Sequence, residues 1–303
     1  MQIAFTTILP SSGFSRLQAF ELLPAGVFSP QAEILVATFD YPVDAALMRQ
    51  MPNLRLVANF GVGYNNIDLD YCRQHHIAVT NTPNPVIEPT AELAFSLMHA
   101  VARRTAELDR HMRNHTTEPF GVMNNLGHAL FGKTLGIIGM GRIGHALARR
   151  ALASGMTVIY HNRHKLDEEP SIQYVSMDEL LTTADFVSLN LPYYPEVHHL
   201  IGEKELRMMK SSAYLINTAR GAHVDEQALV QALRKGEIAG AAMDVYEHEP
   251  DVSPELLTMD NVVLSPHVGT GTMEDRLVMC ENVTDNILYF LRGEKDKMNL
   301  VNL

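Results

Sequence analysis

The stretch Thr134-Leu135-Gly136-Ile137-Ile138-Gly139-Met140-Gly141-Arg142-Ile143-Gly144, with His145-Ala146-Leu147-Ala148-Arg149-Arg150 behind it, reads as a short apolar strand, a tight glycine turn and a helix. A strand that hands over to a helix this abruptly is the opening unit of a parallel α/β sheet. The glycines follow the spacing G-x-G-x-x-G. Gly139 permits the sharp turn, Gly141 lets the backbone come close to a pyrophosphate, and Gly144 lets the helix pack tightly on its strand. The helix N-terminus offers unpaired N–H groups and a positive dipole end. Gly139, Gly141, Arg142, Ile143 and Gly144 are therefore the expected phosphate contacts of a dinucleotide.

The 303 residues are enough for two domains of ordinary size. Ahead of the glycine turn, continuous apolar runs at 2–7, 34–39, 54–60 and 77–82 read as strands covered on both faces. Helix-like segments at 44–50 and 69–75 alternate with them, which predicts a first small parallel α/β unit. Residues 90–114 then repeat apolar side chains at helical spacing and read as one long helix leading to the second unit. That unit offers six strands, at 134–139, 157–161, 186–191, 213–218, 239–245 and 262–265. A further helix over 272–292 reads as the return to the first unit. The expected fold is thus two doubly wound parallel-sheet domains, with residues 1–99 and 272–303 in one and 100–271 in the dinucleotide-binding other.

Charge and composition narrow the function. A formal net charge of −11 disfavours nucleic acid as a partner. No apolar run reaches the ~20 residues of a membrane helix, and Met1-Gln2-Ile3-Ala4-Phe5 lacks the features of a signal peptide. Two cysteines, Cys72 and Cys280, make no disulfide framework, so a cytoplasmic protein with reduced thiols is expected. His111 and His115, and the pairs His75-His76 and His198-His199, have no Cys or acid cluster at metal-site spacing, so no metal is expected.

In open parallel sheets, ligands bind outside the carboxyl ends of the strands. Those ends in the second unit carry Arg220, then Asp244, Glu247 and Glu249, then His267. An Arg can clamp a carboxylate through two hydrogen bonds, a His can give or take a proton, and an acid beside the His can orient it. Spacing leaves Asp244, Glu247 and Glu249 competing for that last role; Pro250 restrains the backbone of Glu249 and favours it.

These residues sit in longer motifs. They include Gly61-Val62-Gly63-Tyr64-Asn65-Asn66-Ile67-Asp68, Glu88-Pro89-Thr90-Ala91-Glu92, Ile216-Asn217-Thr218-Ala219-Arg220-Gly221, Asp244-Val245-Tyr246-Glu247-His248-Glu249-Pro250 and Ser265-Pro266-His267-Val268-Gly269. Along most of its length the chain resembles the D-isomer-specific 2-hydroxyacid dehydrogenases. The resemblance implies hydride transfer between NADP(H) or NAD(H) and a small 2-oxo or 2-hydroxy acid, in a homodimer whose first domain is split between the chain ends. It implies that Arg220 binds the substrate, that His267 is the general acid or base and that Glu249 pairs with it. Val62 and Gly63 would hold the substrate carboxylate, with Phe60 nearby. Asp244 would meet the nicotinamide carboxamide, and Thr90, Pro192, Thr218, His267 and Gly269 would be further cofactor contacts. Relatives on this fold also include dinucleotide-sensing corepressors, which is the alternative reading. The absence of Trp is a departure from the family.

Many relatives that use NAD carry Asp at the end of the second strand of the dinucleotide domain, where this chain has Asn162 followed by Arg163. Without that carboxylate a 2′-phosphate is not repelled, and Arg163 can attract it. NADP(H) is therefore the favoured cofactor, with NAD(H) the alternative. The substrate side chain stays open among glyoxylate, hydroxypyruvate, longer oxo acids and 2-ketogluconate.

Overall fold

In the computed structural model, which describes residues 1–166 and 171–302, the apolar runs become parallel strands in two separate sheets. The chain divides into two compact units, Met1–Pro89 with Thr270–Leu303, and Thr90–Gly269. In the first unit, Gln2–Phe5 (β1), Glu21–Leu22 (β2), Ala32–Thr38 (β3), Leu56–Phe60 (β4) and Ala78–Thr80 (β5) lie in the order β2-β1-β3-β4-β5. This is the flavodoxin-like 2-1-3-4-5 order. Every residue of β4 is buried, as expected of a strand with both faces covered. Two short helices intervene, Ala45–Met48 (α1) and Leu69–Gln74 (α2), each started by an aspartate. Asp44 accepts from the Leu47 N–H at 2.8 Å and Asp68 from the Tyr71 N–H at 2.9 Å.

The run read as one helix over 90–114 is two helices, Ile87–Ala102 (α3) and Thr105–Arg113 (α4). The break is at Arg104, whose φ is 55°. There Arg104 turns its guanidinium onto Glu107 and onto the Leu126 carbonyl, while the His128 N–H bonds the Ala102 carbonyl at 2.7 Å. Gly127 makes that approach possible, since a Cβ there would lie 2.6 Å from the Ala102 oxygen. Pro89 falls in the first turn of α3, where its missing N–H costs nothing. Val101, near the end of α3, stands 3.2 Å from where a Cβ on Gly240 would be, so this helix packs within the second unit.

The second sheet contains Thr134–Ile138 (β6), Thr157–His161 (β7), Ile172–Tyr174 (β8), Phe186–Leu189 (β9), Tyr214–Asn217 (β10), Gly240–Met243 (β11) and Val262–Leu264 (β12). All pair in parallel, in the order β12-β11-β10-β9-β6-β7-β8. Helices Arg142–Ala153 (α5), Met177–Thr183 (α6), Glu203–Met208 (α7) and Glu226–Lys235 (α8) join them. The sequence reversal between β6 and β9 is the switch point at which ligands bind in such sheets. Leu180, Leu181, Leu206 and Leu229, all 0% exposed, pack from α6, α7 and α8 against the sheet. The sequence reading missed β2 and β8 because they are two and three residues long and never fully buried, so no apolar run marks them.

The last helix, Met273–Arg292 (α9), is capped by Thr272 and ends at Gly293 in the left-handed region. It packs on residues 11–17 of the first unit, where a Cβ on Gly13 would overlap Cys280. The Thr284 hydroxyl donates to the Gly13 carbonyl at 3.0 Å. Beyond α9 the chain runs along β5, where the Val79 N–H donates to Asn302 Oδ1 at 2.8 Å and the Asn81 N–H to the Asn299 carbonyl at 3.1 Å.

Candidate active site

The three glycines after β6 have separable jobs. Gly139 has a φ of 96°, and a Cβ on it would sit 2.8 Å from the Asn190 backbone. A Cβ on Gly144 would sit 2.8 Å from the Gly139 carbonyl and 3.3 Å from Ile137, so its bareness lets α5 close onto β6. Gly141 differs: nothing lies within 4 Å of where its Cβ would point. That open space, beside the N-terminus of α5, is the room a pyrophosphate needs. Asn162, after β7, grips the turn from the other side. Its Oδ1 accepts from the Met140 N–H at 2.6 Å and its Nδ2 donates to the Met140 carbonyl at 3.3 Å. Only a carboxamide can make both bonds. The guanidinium of Arg163 stands 4.9 Å from the centre of the Tyr194 ring.

The strand ends beyond β10, β11 and β12 bring Arg220, Glu249 and His267 together within the second unit. His267 Nδ1 lies 2.8 Å from Glu249 Oε2. Burial pushes the Glu249 carboxyl up, but His267, the Tyr246 N–H at 2.9 Å and the charge of Arg220 outweigh it and hold it below its ordinary value. Burial lowers the Arg220 guanidinium and Glu249 opposes this. Arg220 donates to the Ala219 carbonyl at 2.6 Å, and among the described residues no carboxylate comes within ion-pair distance of it. It is thus a desolvated cation without a salt-bridge partner, the condition in which an incoming carboxylate binds most strongly.

The two competing acids have other partners. Glu247 Oε1 meets His199 Nε2 at 2.6 Å. Asp244 Oδ1 accepts from the Ser265 hydroxyl at 2.6 Å and from the Val268 N–H at 2.9 Å, while its carbonyl accepts from the His267 N–H at 2.8 Å. Burial raises the Asp244 carboxyl against the pull of these donors. Asp244 thereby fixes the His267 backbone, which is held at a φ of 51°, a sparsely populated conformation that clusters at functional sites. Thr90 and Asp244 both flank Gly269, each within 3.5 Å of where its Cβ would be.

In the first unit, the turn after Phe60 is held by amides. Asn59 Nδ2 donates to the carbonyls of Gly61 and Gly63, and Asn81 Nδ2 to that of Val62. With those carbonyls engaged, no partner among the described residues takes the N–H of Val62 or Gly63. Successive unpaired N–H groups form an anion-binding nest.

Residues 95–269 match the family described as D-isomer specific 2-hydroxyacid dehydrogenase, NAD binding domain. A glyoxylate reductase of Thermococcus litoralis is 42% identical over 320 aligned positions, covering 99% of this chain and 96% of the relative. The chain belongs to the D-isomer-specific 2-hydroxyacid dehydrogenase family. Solved structures agree with this dehydrogenase in fold. An NADPH-dependent glyoxylate/hydroxypyruvate reductase from Sinorhizobium meliloti, in complex with NADP and malonate, has a TM-score of 0.85 at 30% identity, covering 96% of this chain and 93% of its own. A D-lactate dehydrogenase from Aquifex aeolicus, complexed with NAD and lactic acid, has a TM-score of 0.89 at 29% identity, covering 100% and 99%.

The dehydrogenase fits a nicotinamide dinucleotide. Among the described residues, Thr218 Oγ1 and Asn190 Oδ1, at the ends of β10 and β9, are buried without a hydrogen-bond partner, and the space over Gly141 is open. Pro192 follows Asn190 on the same rim. Four contributors to the site were not singled out from the sequence: Asn190, Ser265, Tyr246 and His223. Tyr246 and Ser265 lie inside the quoted motifs and Asn190 two residues before Pro192, which is the only signal they carry. His223 is 0% exposed, with neither ring nitrogen hydrogen-bonded among the described residues. Burial pushes it down to about 4 and Arg220 adds to this, while the Pro192 carbonyl opposes it.

Proposed function

We propose that the dehydrogenase is an NADPH-preferring reductase of a small 2-oxo acid of the glyoxylate/hydroxypyruvate class, yielding the D-2-hydroxy acid. The observation that carries this reading is the 2.8 Å pairing of His267 with Glu249, with Arg220 electrostatically coupled to Glu249. Arg220 binds the substrate carboxylate and polarises the ketone oxygen. In the first unit, the Val62–Gly63 N–H groups are an anion-holding nest of their own. Glu249 holds Nδ1 of His267, so Nε2 gives its proton to the oxygen as negative charge develops there. When bound, reduced nicotinamide supplies the hydride. Thr90, Thr218, Pro192, Asp244 and Gly269 line its place, and Gly139, Gly141, Arg142, Ile143 and Gly144 the pyrophosphate's.

Asn162 and Arg163 support the cofactor preference. Asn162 carries no charge to repel a 2′-phosphate, and the next residue, Arg163, with its guanidinium over the Tyr194 ring, supplies a positive charge beside it. The name of the Thermococcus relative supports glyoxylate, and the NADPH-dependent Sinorhizobium reductase supports the phosphate-bearing cofactor. Phe120, Val122 and Met123, exposed to 91, 93 and 76%, support a homodimer that covers them. Cys72 and Cys280, both free and buried, suit the cytoplasm. Turnover of a panel of 2-oxo acids, with each cofactor in turn, tests this. Glyoxylate or hydroxypyruvate with NADPH should give the highest kcat/KM; a preference for NADH, or no oxo-acid turnover, overturns the reading.

A further inference from the structure

His198 and His199 follow the residues 195–197 helical turn, with their rings stacked at 4.0 Å and 20°. Neighbouring side chains on extended backbone point to opposite sides. Here His198 is extended, with φ −63° and ψ 128°, but His199 has a φ of 51°. That left-handed residue swings both imidazoles to one side, in a sparsely populated backbone conformation. The strain is held by two anchors, the His199 N–H on the Ala222 carbonyl at 2.8 Å and the Ile201 N–H on the His223 carbonyl at 2.9 Å.

The third member comes from 48 positions away: Glu247 Oε1, 2.6 Å from His199 Nε2. One ligand atom from each of His198, His199 and Glu247 lies within 4.8 Å of the others. Surrounding groups orient this set. The Tyr193 hydroxyl lies 3.4 Å from His198 Nδ1, which leaves Nε2 as the ligating nitrogen. The Glu247 N–H donates to Glu226 Oε1 at 2.6 Å, and Glu247 Oε2 faces the Glu226 N–H at 3.5 Å. Partners of this kind fix ligand direction in metal sites. His199 and Glu247 also line an acidic cavity of about 830 Å³, together with Glu203, Asp225, Glu226 and Asp251. Its field concentrates cations.

We infer that His198, His199 and Glu247 form a site for one divalent transition-metal ion of the zinc class, with a fourth position open to water. Two imidazoles and one carboxylate suit Zn²⁺, Co²⁺ or Ni²⁺ rather than Mg²⁺ or Ca²⁺, which take oxygen ligands. Bonds of about 2.0–2.2 Å on a tetrahedral ion put adjacent ligand atoms about 3.3 Å apart. The His199–Glu247 contact, now 2.6 Å, must open by about 0.7 Å as the ion replaces the hydrogen bond. Glu107, His111 and Asp260 form a similar group, but Arg104 and Arg110 already neutralise its acids.

The site is read with the metal alone. Chelator-treated protein is titrated with Co²⁺, following the visible absorption of the tetrahedral ion, and with Zn²⁺ against a chromophoric chelator. One ion per chain is expected. His198→Ala should weaken binding by at least about tenfold and erase the Co²⁺ absorption, while metal-free NADPH-dependent turnover stays as in the parent. Glu247→Gln should weaken Zn²⁺ binding comparably. Saturating Zn²⁺ should raise the Tm of the parent and not of His198→Ala. No tetrahedral Co²⁺ signal, unchanged affinity in His198→Ala, or loss of the ion in His111→Ala instead would each overturn the assignment.

Discussion

His267 shows how much one side chain depends on three other residues. Its backbone is tied to Asp244, its Nδ1 to Glu249, and Glu249 in turn to the Tyr246 N–H. Replacing His267 with Ala should lower kcat by about 10²–10⁴-fold, the usual worth of a positioned proton donor, with NADPH affinity in a fluorescence titration largely kept. Glu249→Gln, which keeps a hydrogen bond but removes the charge, should lower kcat less than His267→Ala does. His223 is the residue that pH should expose. Its folded value of about 4 lies below the 6.5 of an unfolded histidine. Between those values the unfolded chain binds more protons, so stability rises with pH across that window, is complete above about 6.5 and is lost toward 4. The most it can contribute is about 3 kcal/mol. Denaturant midpoints at pH 4.5 and 7 should differ more in the parent than in His223→Gln; equal differences would remove His223 from the account. Spacing could not sort Glu247 from Glu249 because the two acids are two residues apart and face different histidines. That choice depends on where 199 and 267 lie in space, and the chain order does not carry it.

Among the elements, the strand-turn-helix of β6 and α5 was the most legible, because its glycine spacing, apolar run and helical pattern all agree. Its glycines differ in what a side chain on each would cost. Gly141→Ala places a methyl in open space, so Tm should hardly move while the KM for NADPH rises. Gly144→Ala drives a methyl against the Gly139 carbonyl and should lower stability by about 1–3 kcal/mol, read from denaturant unfolding. The reverse pattern would mean that the open space over Gly141 is not where phosphate binds. Two kinds of element escaped sequence reading for physical reasons. The edge strands β2 and β8 have too few buried residues to form a pattern. The break between α3 and α4 is set by a distant contact: Gly127 and His128 reach the Ala102 carbonyl, and nothing in the helical periodicity across 90–114 records it.

At the scale of the whole molecule, Phe120, Val122 and Met123 form an exposed apolar run that the proposed homodimer would cover. Sedimentation velocity should give a dimer for the parent and a larger monomer fraction for Phe120→Asp combined with Val122→Asp; unchanged sedimentation would remove this segment from the interface. The long α9 and residues 299–302 have another consequence. They supply the packing for residues 11–17 and the last hydrogen bonds along β5, yet they follow the entire second unit in the chain. During synthesis the unit in the middle can therefore finish folding first. The half that emerges earliest must wait, with its sheet incompletely covered, until about two hundred further residues have left the ribosome.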